Sequence, residues 1–476
     1  MWTLSVFLIF LYSPPPLFVA AASQDEVAGL FAVYNSAGGI DWTWPGDNTG
    51  HRRTQTIQPD TGTSNSDVKV PWNFTTDEAG SFLENPCSPS TGSGWQGVEC
   101  SNSSTFCSTV ASPTTPCTIV SLNLMLFYNL KGPLAANISK LSGLQHLNLA
   151  GNKLSGTLPS SLGLLTALTY IFLAFNEFTG TIPPTLGGLN DLARLSIRTN
   201  SLTGPLPSEL GSLNTLTTFD FEQNLLSGFL PSELGELSSV EFFDCEYNFI
   251  SGPIPSTFGK LKKVKILDLD STAISGTIPP ELGDAVSLQF LLLFDSDITG
   301  SLPASLGSIQ GLMQLDVHGN LLTGPIPPSL GNNTELTYLS LGKNFLTGGF
   351  PFTLSSLTNM ELLSFSQNKL KGHIPSFIGN YPVLQKFFLQ GNQFSGQIED
   401  IFNVELQREL VHVDMSDNLI TGHLPARLFQ LVNLKTAALS GEHFVLRRHQ
   451  ALCHSFPLLC SAMHALLFSE LFYRWL

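Results

Sequence analysis

The sequence is poor in basic residues. Of its 476 residues, 22 are lysine or arginine and 37 are aspartate or glutamate, which leaves a formal net charge of −15 at pH 7. This balance argues against nucleic acid as a partner, and it disfavours binding to an anionic membrane surface. The chain also lacks a glycine-rich phosphate loop with a suitably placed lysine, paired metal ligands and a nucleophile motif. These absences predict a protein that is not an enzyme and that needs no cofactor.

Glycine, in contrast, recurs with a fixed period. Twelve glycines are spaced 24 residues apart, and a thirteenth follows after 26. They are Gly132, Gly156, Gly180, Gly204, Gly228, Gly252, Gly276, Gly300, Gly324, Gly348, Gly372, Gly396 and Gly422. A domain with a single core has no need of such regularity, whereas a stack of similar coils turns the chain at the same place in every coil. A fixed period of this length is the signature of a solenoid, in which each repeat packs only on its neighbours.

Each period, or coil, carries the same pattern of buried and polar positions. In the coil that begins at Leu144, the alternation of Leu147 and Leu149 predicts a short strand with one buried face. Asn152 follows where the chain bends, and its amide can satisfy backbone groups of adjacent coils. Gly156 supplies a backbone shape that a Cβ would resist.

The asparagine recurs at one position per period, and its later copies are Asn176, Asn200, Asn224, Asn248, Asn320, Asn344, Asn368, Asn392 and Asn418. About thirteen copies of L-x-x-L-x-L-x-x-N-x-L agree in register. Their extended form, Leu-Ser/Thr-Gly-x-Ile/Leu-Pro and then Leu-Gly, resembles plant-type leucine-rich repeat proteins. The resemblance covers residues 119–444, where the last coil is partial. It implies an α/β solenoid: a curved, right-handed superhelix with a parallel β-sheet on its concave face, which commonly binds ligand in this family, and with irregular or 3₁₀ returns.

Some coils depart from the pattern. Cys245 stands at a leucine position, which predicts a buried apolar thiol. Thr272 and Ser296 replace the recurrent asparagine in two consecutive coils. We therefore expect the local geometry of those two coils to differ from the rest.

Two outward-facing positions of the predicted strands turn acidic in three consecutive coils. The six residues are Asp220, Glu222, Asp244, Glu246, Asp268 and Asp270. Neighbouring strands lie ~4.8 Å apart, so each like-charge contact costs on the order of 1 kcal/mol in a high dielectric. Adjoining positions add Phe242, Tyr247, Phe290, Phe294 and Asp295. We call these eleven residues the acidic patch.

Unneutralised carboxylates beside exposed aromatic side chains are more typical of a binding surface than of a solvated face. We therefore expect the acidic patch to bind a ligand. A basic protein or peptide is the first expectation, and a divalent cation is the second. The alternative is an ordinary polar concave surface on which the acidic residues arose by sequence drift and bind nothing.

The N-terminal region has the features of a secreted protein. An apolar run that ends in small residues predicts a signal peptide over residues 1–22, although no lysine or arginine precedes the run. Residues 23–118 are expected to form an N-terminal cap with a polar loop at 45–71. The segment from Asn85 to Cys100, which contains Trp95, resembles the capping motif of secreted plant-type leucine-rich repeat proteins. Such a cap covers the open apolar end of the first coil.

The cap contains a cluster of four cysteines, Cys87, Cys100, Cys107 and Cys117. An even cluster beside a secretion signal predicts disulfides. Of the three connectivities, we expect the nearest-neighbour pairs, Cys87 with Cys100 and Cys107 with Cys117. A zinc site is the alternative, but the spacing is loose and no histidine lies close. Sequons predict N-glycosylation at Asn73, Asn102, Asn137 and Asn332.

The C-terminal residues 445–476 do not follow the repeat pattern. Residues 451–469 contain no charged side chain, so a membrane span has to be weighed. Two histidines and Pro457 interrupt this stretch, and Arg447 and Arg448 would stand on the extracellular side, against the positive-inside tendency. A non-repeat tail or a wrongly predicted exon end is favoured over a span, which stays open as an alternative.

Together these features predict a secreted or cell-surface protein that recognises a protein or peptide. One class is a receptor-like ectodomain for signalling or defence, which needs a membrane anchor or a co-receptor. About 32 residues follow Phe444, too few for a kinase domain. The other classes are a soluble binder that resembles plant inhibitors of cell-wall-degrading enzymes, and a structural adhesion protein.

Overall fold

The computed structural model describes residues 32–33, 98–100, 118–126, 130–398, 401–422 and 426–439. The chain divides into two compact units, Met1–Leu322 and Thr323–Leu476. The predicted signal peptide, the polar loop at 45–71, Asn73, Asn102 and the tail at 445–476 lie outside the described residues, as do the side chains of all four clustered cysteines.

A parallel sheet in the first unit, which we call the first sheet, contains one short strand from each coil. Its middle positions are the leucines of the repeat, and they are buried because they point into the coil. Paired residues lie one coil apart, as with Phe219 and Phe243. An antiparallel strand, Val98–Cys100, pairs with the first coil. The strands in sheet order are Val98–Cys100, Ile119–Asn123, His146–Asn148, Tyr170–Phe172, Arg194–Ser196, Thr218–Asp220, Phe242–Asp244, Ile266–Asp268, Phe290–Leu292 and Gln314–Asp316.

A second sheet, which the sequence analysis missed, runs through the recurrent glycines. At each glycine the backbone has a positive φ, +74° at Gly156 and at Gly252, so the predicted backbone requirement is confirmed. A Cβ on Gly252 would lie 2.4 Å from a ring carbon of Phe229 in the preceding coil. The strands of this sheet in the first unit are Lys131–Pro133, Lys153–Thr157, Glu177–Gly180, Ser201–Gly204, Leu225–Phe229, Phe249–Gly252, Ala273–Thr277 and Asp297–Ser301.

A single 3₁₀ helix makes the return path of each complete coil in the first unit. Glycine in the Leu-Gly pair lets these helices stack closely, since a Cβ on Gly187 would lie 2.2 Å from the carbonyl oxygen of Glu209 in the next coil. In the first unit the 3₁₀ helices are Ala136–Lys140, Ser160–Leu164, Pro184–Gly188, Ser208–Ser212, Ser232–Glu236, Ser256–Lys260, Pro280–Asp284 and Ala304–Ser308.

The second unit repeats the same three kinds of element. Its inner strands are Tyr338–Ser340, Leu362–Ser364, Lys386–Phe388, His412–Asp414 and Thr436–Ala438, and the middle residue is buried in all but the last. The strands at or next to the recurrent glycines are Leu321–Pro325, which begins in the first unit, then Phe345–Thr347, Lys371–His373 and Gln393–Gly396, and Leu419–Ile420 pairs with the last of these. The 3₁₀ helices are Pro328–Asn332, Phe352–Ser356, Ser376–Asn380 and Ala426–Gln430.

The recurrent asparagines join each coil to its neighbours, as predicted. The Asn152 amide donates to the carbonyl oxygens of Leu149 in its own coil and of Leu124 in the preceding coil, both at 2.8 Å. The backbone N–H of Leu154 donates at 3.0 Å to Oδ1 of Asn176 in the next coil. One buried side chain thus satisfies backbone groups of two coils, which keeps the turns from carrying unpaired polar groups.

The ladder thins where Thr272 and Ser296 replace asparagine. The Thr272 hydroxyl donates to the carbonyl oxygen of Leu269 at 2.8 Å. The Ser296 hydroxyl donates to the carbonyl oxygen of Phe294 at 3.4 Å. Both carbonyl acceptors belong to the hydroxyl's own coil, and the two hydroxyls contact each other across the coils at 3.3 Å. The expected local difference is therefore confirmed in the hydrogen bonds.

Three further sequence expectations concern described residues. Cys245 is fully buried with a free thiol, as predicted. The sequon residues Asn137 and Asn332 lie exposed on 3₁₀ helices, where a sugar has room. In the described part of the chain, every helix falls short of the length and apolarity that a bilayer crossing requires.

Candidate functional site

The acidic patch lies on the outer face of the first sheet, the face turned away from the coil interior. Asp220, Asp244 and Asp268 end three consecutive strands and are paired directly in register. Glu222, Glu246 and Asp270 follow two residues later in the same three coils. The sequence prediction of two adjacent acidic columns is therefore borne out by the strand register.

The carboxylates are less accessible than the sequence analysis expected. Asp220, Asp244, Asp268 and Asp270 are only 8%, 6%, 8% and 1% exposed, although they face outward. Side chains one coil away are close enough to cover each other, because parallel strands lie ~4.8 Å apart. The assumption of a solvated, high-dielectric surface was wrong for these four residues, and their mutual repulsion is correspondingly stronger.

The aromatic residues of the patch also differ from the expectation of exposure. Tyr247 is 46% exposed, and Asp295, also in the patch, is exposed as well. Phe242, Phe290 and Phe294 are half-buried. Both Tyr247 and Asp295 have positive φ values, +50° and +47°, because the residue before the ladder position turns the chain sharply.

One end of the patch is neutralised, which the sequence analysis did not anticipate. Nη1 of Arg198 lies 2.9 Å from Oε2 of Glu222, and Nε lies 3.8 Å from Oδ2 of Asp220. The Ser196 hydroxyl donates to the same Asp220 oxygen at 2.6 Å. Arg198 occupies the column position one coil before Glu222, so comparing residues 24 apart with opposite charge could have found the pair.

The other four acidic residues of the two columns form no ion pair with a basic side chain of the described residues. They are Asp244, Glu246, Asp268 and Asp270. Their neutral donors are few: the backbone N–H of Glu246 donates to Oδ1 of Asp244 at 3.0 Å, and that of Asp270 donates to Oδ1 of Asp268 at 3.3 Å. Within the described residues, the carboxyl groups of these two coils therefore have no basic side chain to compensate them.

Burial and mutual repulsion raise the pKa values throughout this cluster. Desolvation raises the pKa of Asp220 from 3.8 to about 6, opposed by the Ser196 hydrogen bond and by Arg198. Desolvation and then neighbouring carboxylates raise the pKa of Asp244 and Asp268 well above the usual range. The same causes raise the pKa of Glu246 to about 9, and burial raises that of Asp270. These carboxyl groups therefore hold protons more tightly than exposed carboxyl groups do, and a neutralising cation would relieve the same repulsion.

Two groups of three carboxylates are close enough to share one cation. Within each group, one oxygen from every residue lies within 4.8 Å of the others. The first trio is Asp220, Glu222 and Asp244, and the second trio is Glu246, Asp268 and Asp270. Each trio contains a buried oxygen without a hydrogen-bond partner, Oδ1 of Asp220 and Oδ1 of Asp270.

Comparison with known proteins supports the repeat assignment. The family model for the leucine-rich repeat matches residues 143–165, 167–189 and 311–333. A search of curated protein sequences found no significant match.

Solved structures give broader coverage. A TDR receptor is 31% identical over 68% of this chain and 56% of its own, with a TM-score of 0.65. The plant peptide hormone receptor RGFR1 in complex with RGF2 is 31% identical over 65% and 53%, with a TM-score of 0.59. PEPR1–AtPEP1 is 30% identical over 74% and 50%, with a TM-score of 0.62.

The matches thus span only about half the length of each of these three proteins. They nevertheless cover 65–74% of this chain. Sequence motif, family model and three-dimensional similarity agree, and the chain belongs to the plant-type leucine-rich repeat proteins.

Proposed function

We propose that this chain is an extracellular, receptor-like recognition protein that binds a basic peptide or protein at the acidic patch. The observation that carries the proposal is the row of carboxylates on two successive coils that no basic side chain of the described residues neutralises. Two of the similar structures, RGFR1 with RGF2 and PEPR1 with AtPEP1, have peptide partners in their names. They support a peptide as the class of ligand, and a co-receptor is proposed as a second partner.

The spacing of the patch defines the ligand more closely. Three strands at ~4.8 Å span about 10 Å, and an extended peptide advances about 3.3 Å per residue. A segment of about four residues therefore covers the acidic columns. We expect the ligand to carry two or three lysine or arginine residues within such a segment, with at least two separated by a single residue so that they face the same side.

Tyr247 and the half-buried Phe294 supply the apolar part of the contact. Tyr247 is the most exposed aromatic side chain of the acidic patch, and it follows Glu246 directly. A basic side chain that reaches Glu246 would also pass this ring, and a cation over an aromatic face gains on the order of 1 kcal/mol.

The expected setting is the extracellular side. The proposed signal peptide at 1–22 and the pairs Cys87–Cys100 and Cys107–Cys117 are features of a secreted chain. The exposed positions of Asn137 and Asn332 are compatible with glycosylation. Whether the protein is anchored is decided by fractionation of expressing cells: release into the medium without detergent would exclude an anchored receptor and favour a soluble binder.

The binding proposal is tested with a synthetic peptide that contains two lysines separated by one residue, against the same peptide with both lysines replaced by glutamate. We expect saturable binding of the basic peptide alone, weakening as salt is added. Charge reversal, Asp244→Lys with Glu246→Lys, should abolish binding, whereas reversal of the exposed Glu281 and Asp284 on a 3₁₀ helix should not.

Because Asp244 is buried, a neutral pair, Asp244→Asn with Glu246→Gln, serves as the second variant. It removes repulsion and should fold at least as well as the wild type, yet bind the basic peptide at least tenfold more weakly. Unchanged affinity in this folded variant would refute the proposed site.

A further inference from the structure

The second trio contains a polar atom that the protein itself does not satisfy. Asp270 is 1% exposed, and its Oδ1 is buried with no hydrogen-bond partner. A buried carboxylate oxygen without a donor keeps an uncompensated desolvation cost. Carboxylate oxygens of Glu246 and Asp268 lie within 4.8 Å of the Asp270 ligand atom, so three acidic side chains converge beside this unsatisfied oxygen.

This arrangement matches the geometry of a hard metal ion. Calcium lies about 2.3–2.6 Å from each oxygen ligand, so two oxygens on one ion are at most about 5 Å apart. The three carboxylates already satisfy that limit. They come from two neighbouring coils whose strands pair in register in the first sheet, so little ordering is needed on binding.

We propose that Glu246, Asp268 and Asp270 bind one hard divalent cation, for which calcium is the best fit, on the outer face of the first sheet. Three oxygen ligands without imidazole or thiolate favour calcium or magnesium over zinc. Calcium tolerates irregular ligand angles, whereas magnesium requires a near-ideal octahedron. Water completes the shell on the side that faces solvent.

The first trio is a poorer site for the same ion, although its oxygens are equally close. Arg198 already contacts Glu222 and Asp220, and Ser196 donates to Asp220. A divalent ion there would have to share its ligands with a guanidinium. No basic side chain of the described residues pairs with the second trio, and Asp316, two coils further on, adds a further acidic group near Asp270.

This inference does not rest on the proposed function. The two proposals share Glu246, so a cation at the second trio would compete with a basic ligand, and peptide binding is measured in the presence of a chelator, separately from calcium binding. A protein that binds calcium but not the basic peptide would support the metal site and refute the proposed basic ligand. A protein that binds the peptide but not calcium would support the basic ligand and refute the metal site.

The test is calorimetric titration of the purified full chain with calcium chloride after treatment with a chelator. We expect one saturable site with a dissociation constant at or below about 1 mM, as in extracellular calcium modules. The variant Glu246→Gln, Asp268→Asn, Asp270→Asn should bind at least tenfold more weakly. The matched control, Glu281→Gln with Asp284→Asn, removes two exposed carboxylates elsewhere and should bind as the wild type does.

A second measurement locates the ion. Terbium replaces calcium in oxygen sites, and a nearby tyrosine sensitises its emission. Tyr247 follows Glu246, and its backbone N–H reaches the carbonyl oxygen of Asp270 at 3.4 Å. None of the six tryptophans lies within residues 119–444, so Tyr247→Phe should abolish most of the sensitised emission while the calorimetric affinity for calcium is kept.

Three results would overturn the assignment. The first is the absence of saturable binding up to about 10 mM calcium. The second is equal binding by the wild type and the folded triple variant, with folding checked by circular dichroism. The third is sensitised terbium emission that persists in Tyr247→Phe.

Discussion

Arg198 and Glu222 form an ion pair between side chains 24 residues apart, with Nη1 and Oε2 separated by 2.9 Å. The same guanidinium lies over the ring of Phe175, 4.9 Å from its centroid. The arginine is therefore fixed between an aromatic ring in the preceding coil and a carboxylate in the following one. It supplies positive charge at one end of the acidic patch, while Asp244 and Asp268 further along have no such partner.

Arg198→Ala should destabilise the protein by about 1–2 kcal/mol, because Glu222 and the buried Asp220 lose the guanidinium that pairs with them. The free energy of unfolding from urea denaturation measures this loss. Lys260→Ala is the control: it removes a 2.6 Å pair with Glu236 in which both side chains are more than half exposed, and it should cost no more than about 0.5 kcal/mol. Equal losses in the two variants would contradict the role assigned to Arg198.

The stability of the protein should fall as pH rises through the titration of Asp220. Its carboxyl group faces Arg198, Glu222 and Asp244, and burial raises its pKa from 3.8 to about 6. A raised carboxyl pKa means that the folded state holds the proton more tightly than the unfolded state does. The contribution of this group to stability is thus complete below about pH 4 and is lost as pH rises to about 6.

Asp220→Asn removes that titration. Between about pH 4 and pH 6 the wild type should lose up to about 3 kcal/mol more of its unfolding free energy than the variant does. Chemical denaturation at a series of pH values gives the comparison. Parallel profiles for the two proteins would show that Asp220 titrates normally.

Restoring asparagine in the thinned part of the ladder should stabilise the protein. In the preceding coil, the Asn248 amide donates to the carbonyl oxygens of Phe221 and Cys245, and its Oδ1 accepts the N–H of Leu226 at 3.0 Å. By the same geometry Thr272→Asn should gain bonds to the preceding coil worth about 1 kcal/mol. Thermal unfolding measures the gain.

The reciprocal change supplies its control. Asn248→Thr should cost about 2 kcal/mol, since a hydroxyl leaves backbone groups of the preceding coil unpaired. If Thr272→Asn destabilised the protein as much as Asn248→Thr does, hydrogen bonding between coils would not explain why asparagine recurs at this position.

Two adjacent glycines should respond differently to alanine. A Cβ on Gly187 would lie 2.2 Å from a backbone oxygen of Glu209, whereas a Cβ on Gly188 would meet nothing within 4 Å. Gly187→Ala should therefore destabilise the protein by about 1–3 kcal/mol through overpacking. Gly188→Ala should be neutral or slightly stabilising. Similar melting temperatures for the two variants would mean that coil spacing adapts more readily than the stacked backbone indicates.

The structure of one coil could be predicted from its own residues, because each key side chain packs or bonds within its repeat or with the adjacent repeat at a fixed spacing. These residues are Leu147, Leu149, Asn152 and Gly156 in the coil that begins at Leu144. The second sheet was missed since a segment such as Lys153–Thr157 contains one buried apolar side chain and a glycine, so its alternation is too weak to indicate a strand. Its pairing comes from stacking and not from local preference.

The acidic columns could be predicted by register, but their burial could not. Asp244 and Asp268 are covered by side chains one coil away, and carboxylates are ordinarily exposed. Nor could the pairing of Arg198 be found while each coil was considered alone. The properties of this face are set by contacts across 24 residues, which a local pattern does not report.

Cys245 gives the coil that carries Asp244 and Glu246 a chemical reporter of its own. The thiol is completely enclosed, and burial raises its pKa well above the ordinary value. Alkylating reagents need both access and a thiolate, so modification of this sulfur requires the coil to open. The rate of labelling therefore measures how often the solenoid separates at the acidic patch, and any ligand that holds neighbouring coils together will slow it.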